Sequence, residues 1–228
     1  MMTQRLASNK GQNALLAMMN HLNHDADVWG YNSFGLPSIG WRLHELGSAL
    51  GYVPDGEPAL RRDMAALTHP NAPRFYTGAF AFTAPNGRRY AYKDGYSRLD
   101  EVDWSPWVHL SMFSPDFHGL LEFAILDAIH AGAIAVVPEG TVPRGWYDDS
   151  LITIPFDGST LWAKKDMTTV SGRDFDRAGC ARVINELLAY PDEELKRIAA
   201  RQLAAVRARH APAEFRKSVE AALRGEGT

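Results

Sequence analysis

The sequence predicts an α/β layered protein: a Rossmann-like, mostly parallel sheet flanked by helices, with an inserted β-hairpin and a helical C-terminal tail. Three observations carry that expectation. Short apolar runs alternate with stretches of helical periodicity through the first two thirds of the chain. The stretch 108–137 reads as strand, loop, helix, strand, which is a βαβ unit, and beyond residue 171 only helical periodicity is left. One domain is expected over 1–228, with the hairpin at 79–93 and the helical tail at 171–228.

Taken in order, a polar opening through Arg5 to Gly11 leads into a helix over Gln12 to Leu22, where Leu15, Leu16, Met19 and Leu22 recur at helical spacing. Asp25 to Gly30 reads as a strand, and Ile39 to Leu50 as a helix stopped by Gly51. Val53 to Pro73 carries four prolines, with one short helical piece near 59–67, and Phe75 to Gly78 is a candidate strand. In the hairpin 80–92, Pro85 and Asn86 suit the centre of a type I turn and Gly87 the left-handed position of a three-residue loop. That register pairs Phe82 with Tyr90 and Phe80 with Tyr92, so all four aromatics share one face. Its plain role is a small packed excursion; the alternative is a flap near a ligand, charged by Arg88, Arg89 and Lys93.

Val108 to Phe113 is a strand ended by Ser114-Pro115, Leu120 to Ala131 a helix stopped by Gly132, and Ala133 to Val137 a strand. Pro138 to Tyr147 reads as a loop, Leu151 to Pro155 as a short strand and Asp157-Gly158-Ser159 as a turn. Ser171 to Asp174 resembles a capping box for a helix bearing Cys180, Ile184 and Leu187, after which Pro191 opens a helix running to about Arg209. A last amphipathic helix follows over Ala213 to Leu223.

Composition limits the function classes. With 46% hydrophobic residues in 228, the chain can bury a full core, and a net charge of −3 gives no global field for nucleic acid, although a local patch stays open. The single cysteine, Cys180, excludes an internal disulfide and suits a reducing cytoplasm. No apolar run approaches membrane-spanning length, and the N-terminus does not read as a signal peptide. No dinucleotide glycine fingerprint is present, which argues against a nicotinamide enzyme.

The central βαβ unit presents a helix N-terminus at the carboxyl edge of the sheet, where unpaired N–H groups favour anions. Two carboxylates stand beside it, Glu122 in the first turn and Asp127 five residues on. At about 100° per residue they lie some 140° apart, so they can contact different parts of one extended ligand but not the same atom. Both also suit plain roles, at a helix start and on a solvated face. Arg5 and Lys10 precede the first helix, where cations would hold phosphates, though N-terminal cations are usually solvated. His118 is the one histidine beside this proposed site.

Arg5 followed by Lys10-Gly11 resembles the phosphate-binding signature opening the C-terminal domain of GT-B glycosyltransferases, particularly the retaining family 4 type. Ser114-Pro115, Glu122, Leu126-Asp127-Ala128, Gly132 and Ala135-Val136-Val137 resemble that family's second segment, in the same order and separation. The resemblance implies that Arg5 and Lys10 neutralise the diphosphate of a nucleotide-sugar, joined by N–H groups at Leu121, Phe123 and Ala124, with Gly11 in the phosphate loop. It further implies that Asp127 binds the ribose and that Glu122, in the catalytic position, contacts the donor sugar. Fixed cations and a helix end would stabilise a departing diphosphate without a metal.

Two departures matter. The family's two glutamates stand eight positions apart, and the position eight before Asp127 is Gly119; the second acid is also one methylene shorter. The spacing of Leu121-Glu122 and Leu126-Asp127 looks closer to phage DNA α-glucosyltransferases. The expected activity is retaining transfer of a hexosyl or pentosyl group from a UDP-sugar or other nucleotide-diphosphate sugar, with no further cofactor. A hydroxymethylated base in phage DNA is one candidate acceptor. Because Arg5 stands at the chain start, the resemblance also implies that a second domain or chain carries the acceptor site. A non-catalytic nucleotide-sugar-binding module, a half-enzyme needing a partner chain, and a Rossmann-like epimerase remain open alternatives.

Overall fold

The computed structural model describes residues 1–4, 11–31, 37–56, 60–62, 75–77, 79–96, 98–104, 107–111, 123–140, 142, 145–156 and 175–224. A five-stranded mixed sheet contains β1 (Met2–Gln4), β2 (Ala26–Tyr31), β3 (Val53–Asp55), β6 (Phe80–Thr83) and β7 (Arg89–Tyr96), in the order β1-β2-β7-β6-β3. A parallel three-stranded sheet is built from β8 (Val108–Leu110), β9 (Ile134–Pro138) and β10 (Ile152–Ile154), in the order β10-β9-β8. β4 (Leu60–Arg62) and β5 (Phe75–Thr77) form a separate antiparallel pair.

The two larger sheets meet at Met1. Its nitrogen donates to the Val108 carbonyl at 2.6 Å, and the Leu110 N–H donates to the Met1 carbonyl at 2.8 Å. That is the slanted pattern of a parallel ladder, so β8 stands next to β1. From β10 through β9, β8, β1 and β2 to β7 every pairing is then parallel, and only β6 runs the other way; β3, antiparallel to β6, returns to the common direction.

Helices cover both faces. α1 (Gln12–Met18), α2 (Pro37–Ala49) and α4 (Arg177–Leu188) pack their apolar sides on one face, against Val28, Phe82, Tyr90, Ile134 and Val136. α3 (Phe123–His130) and α5 (Asp192–Arg209) cover the other, where Ile125, Ile129 and Val206 meet Ala135 and Val137. A strand buried on both sides cannot alternate apolar with polar, and β9 accordingly reads Ile-Ala-Val-Val. α6 (Pro212–Leu223) ends the described chain, with Leu223 83% exposed.

The hairpin follows its expected register, with Phe82 opposite Tyr90 and Phe80 opposite Tyr92. The Gly87 N–H closes the turn onto the Ala84 carbonyl at 2.8 Å, and Gly87 takes φ 82°. Four aromatics on one face bury together, and Phe80 stacks on Tyr92. Three expectations need correction. The hairpin is no inserted excursion, because β7 pairs with β2 and makes both of its strands integral to the five-stranded sheet, where the reversed β6 interrupts an otherwise parallel order and makes the sheet mixed. The helical piece near 59–67 is replaced where it is described: Leu60–Arg62 pairs with Phe75–Thr77, a β-prone partner that sets Arg61 opposite Tyr76. Arg177 begins α4 with Asp176 as its cap, the carboxylate accepting the Gly179 N–H at 2.8 Å. The capping box at 171–174, the turn at 157–159 and the remainder of 63–74 lie outside the described residues.

Candidate functional site

From β1 the chain passes through α1 to β2 on one side of the sheet order, and from β8 through α3 to β9 on the other, with α1 and α3 on opposite faces. Where neighbouring parallel strands send their connections to opposite faces, the loops part and open a crevice at the carboxyl edge. Segment 5–10 leaves β1 at this edge, and segment 112–122 follows β8. Both segments lie outside the described residues, and Arg5, Lys10, His118, Leu121 and Glu122 with them.

The residues flanking those segments are described. Gly11 caps α1 in the left-handed region, φ 78° and ψ 10°, a conformation that costs other residues about 1 kcal/mol or more. Its carbonyl accepts the Leu15 N–H at 3.0 Å. Gln12 and Asn13 open the helix fully buried, a placement the sequence reading missed; its signal was two amides at the head of an otherwise apolar helix. The Tyr90 hydroxyl donates to the Gln12 carbonyl at 3.3 Å, and burial raises the Tyr90 pKa. The Asn13 Oδ1 accepts the Ala14 N–H at 2.9 Å, while its Nδ2 has no hydrogen-bond partner among the described residues. Ser111, next after β8, is also fully buried.

α3 starts at Phe123, so the backbone of Phe123 and Ala124 forms its first turn at the same edge as Gly11. Asp127 lies in its second turn. At 100° per residue it stands about 160° around the helix from both Ile125 and Ile129, on the side away from the sheet. It is nevertheless half-buried, and desolvation raises its carboxyl above the ordinary value, opposed by the nearby His130. The structure thus brings the start of α1 at Gly11 and the first turn of α3 at Phe123 and Ala124 to the carboxyl edge, and leaves Asp127 a turn further along α3, facing away from the sheet.

The opposite, amino edge holds the hairpin turn. Asn86 Nδ2 donates to the carbonyls of Met19 and Leu22, both at 2.9 Å, which ties the turn to the end of α1. Lys93 pairs with Asp27 at 3.2 Å and Arg89 with Asp55 at 3.0 Å, around a polar cavity of about 340 Å³. A hairpin anchored there is not a flap over the carboxyl edge.

Between β9 and β10 the chain crosses the sheet through a 3-10 turn, Trp146–Asp149, in which Tyr147, Asp148 and Asp149 all take positive φ, 55°, 52° and 49°. Three successive left-handed non-glycine residues are costly and persist only where their surroundings hold them. Here α5 and the turn itself do so. The Tyr147 hydroxyl meets His210 Nε2 at 2.8 Å, Arg201 donates to the Asp148 carbonyl at 3.3 Å, and Asp149 accepts the Gly145 N–H at 2.9 Å. No residue pattern announced this turn.

No protein-family model matches the chain, and no curated protein is significantly similar to it. Among the described residues, no group of three His, Cys, Asp or Glu side chains stands close enough to hold a metal ion. No described helix is long and apolar enough to cross a membrane.

Proposed function

We propose that this chain is the nucleotide-sugar-binding, Rossmann-like half of a GT-B glycosyltransferase of the retaining type. One observation carries the reading: β8 stands beside β1, and the segments that follow these two neighbouring strands bear Arg5 and Lys10 in one case and Ser114 to Glu122 in the other. A nucleotide-diphosphate sugar fits a crevice of this kind. Its diphosphate would take the cations and the N–H groups at the start of α3, its ribose Asp127, and its sugar Glu122. In the transfer the bond from the anomeric carbon to the diphosphate breaks with its electron pair on the diphosphate. The acceptor oxygen bonds to the same face of the sugar and passes its proton to the departing diphosphate oxygen. Cations fixed beside the leaving diphosphate act where charge develops, which is where electrostatic catalysis is most effective.

Calorimetric titration with UDP, GDP and ADP and their sugars tests the reading. Saturable binding of one nucleotide diphosphate is expected, weakened by Lys10→Ala by about 2 kcal/mol, the size of a charge-assisted contact. Glu122→Gln is expected to slow transfer while leaving nucleotide affinity in place. Affinity unchanged in Lys10→Ala would remove the phosphate assignment, and loss of nucleotide binding in Glu122→Gln would move that residue away from the sugar.

A further inference from the structure

A second cavity, of about 290 Å³, lies at the amino edge of the sheet, away from Gly11 and the first turn of α3. Three elements build its walls. α1 contributes Leu15, with Leu22 shortly after it; β8 contributes Val108 and Leu110, two positions apart and so on one face of the strand; α4 contributes Ile184 and Leu188, one turn apart on one side of the helix. All but Leu188 are at most 5% exposed, so the cavity is cut into the core. The half-buried Trp107 adds an aromatic wall.

Polar side chains are gathered at the rim. His24 and Asp25, the two residues before β2, form it, and Asp25 also borders the polar cavity lined by Asp27, Arg89 and Lys93. Lys93 is paired with Asp27 and Arg89 with Asp55, whereas among the described residues no side-chain cation pairs with Asp25. Its Oδ1 accepts the Arg89 N–H at 2.9 Å, which fixes the carboxylate without cancelling its charge. Met1 lines both cavities as well, and burial pushes its amine down to about 6, so at pH 8 that amine is mostly neutral.

The turn that carries the rim is held from two sides. Asn185 of α4 donates from Nδ2 to the His21 carbonyl and accepts the Asn23 N–H at Oδ1, both at 2.8 Å, and Asn86 of the hairpin holds the Leu22 carbonyl. A rim fixed beforehand loses little freedom on binding.

These features sort ligands by chemistry. An apolar cavity at the small end of ligand-binding volumes admits one ring with a short arm. An anion would face the charge of Asp25 and a plain hydrocarbon would gain nothing from it, whereas an ammonium is favoured by the carboxylate and by an indole in the wall.

We propose that the amino-edge cavity binds a small organic cation, with an apolar ring among Leu15, Leu110 and Ile184 and its ammonium at Asp25. The site rests on the cavity and its rim alone, and not on the glycosyltransferase reading above.

Calorimetric titration of the full chain with 2-phenylethylamine at pH 8 tests it, beside the uncharged 2-phenylethanol and the anionic 3-phenylpropionate. Saturable binding of the amine is expected in the millimolar range or tighter, with the alcohol about fivefold weaker, the upper end for a charge contact at an exposed rim, and the anion weaker still. D25N keeps an acceptor for the Arg89 N–H and should lower the amine to the affinity of the alcohol. L188W fills the cavity from its half-buried side and should abolish binding of both, with a cooperative thermal transition showing that the fold is kept. The proposal is overturned by absence of saturable amine binding, by an alcohol or anion that binds as tightly as the amine, by unchanged amine affinity in D25N, or by a folded L188W that still binds. Should L188W not fold, D25N and the comparison of the three ligands decide.

Discussion

The two ends of the sheet are stabilised by different means. At the hairpin end, antiparallel strands present Phe80, Phe82, Tyr90 and Tyr92 to one helix layer, and large rings fill the space with few polar demands. At the β8–β10 end, small and β-branched residues are buried on both faces, and the ladder is incomplete because β10 starts opposite Val136. Gln202, fully buried on α5, completes it: its Oε1 accepts the Ala135 N–H at 2.8 Å, and its Nε2 donates to the carbonyls of Ala135 and Ser150, both at 3.1 Å. One side-chain amide stands in for a missing strand residue. The hairpin end depends on volume, therefore, and the parallel end on a polar substitution that has no apolar equivalent.

The largest expected effect tests the polar side. Gln202→Leu replaces the amide with an apolar side chain of similar volume, strands the Ala135 N–H and two carbonyls, and should lower stability by about 3 kcal/mol in urea unfolding. A loss under about 1 kcal/mol would mean that the ladder end finds other partners. The volume side is tested at Gly47, where an added Cβ would lie 2.6 Å from the Phe82 ring. Alanine normally stabilises a helix relative to glycine, so Gly47→Ala should show the reversed sign, losing about 2 kcal/mol from overpacking. Combining it with Phe82→Leu should recover part of that loss; strict additivity would show that the two sites do not touch.

A pH slope separates the ends as well. His109, on β8, is fully buried, and desolvation lowers its pKa to about 3 from the ordinary 6.5. Between those values the unfolded chain holds a proton that the fold refuses, so stability is full above pH 6.5 and falls as pH drops towards 3. The slope is at most about 1.4 kcal/mol per pH unit, and urea titrations of His109→Gln from pH 6.5 to 4.5 should show a limb shallower by up to that amount. An unchanged limb would place the acid sensitivity elsewhere.

What was legible in the sequence follows the same division. The hairpin register could be read because turn chemistry and aromatic alternation agree at Pro85-Asn86-Gly87. The central βαβ unit could be read because the apolar spacing of Ile125 and Ile129 and the run Ile134 to Val137 have different periods. Gln202 could not, since a lone amide in a charged helix looks like a solvated residue until the start of β10 is known. The left-handed turn at Tyr147–Asp149 is held by His210 and Arg201, more than fifty positions away, and local propensity carries no trace of such contacts. Of the candidate site, motif order along the chain was legible and its spatial sense came from strand order. The buried pair Gln12 and Asn13 was overlooked because amides near a helix start are ordinarily caps.

The junction at Met1 has a mechanical consequence. Among the described residues, the two principal sheets are joined edge to edge by two backbone hydrogen bonds, against a full ladder on either side. Fewer hydrogen bonds cross this seam than cross either neighbouring ladder among the described residues, so opening there is expected to cost less than opening within a sheet. β1 and β8 end on its two sides, so a molecule held at the ends of both strands would lie across it like a staple. Occupancy and rigidity would then change together, and slower amide exchange at Leu110 would report the grip.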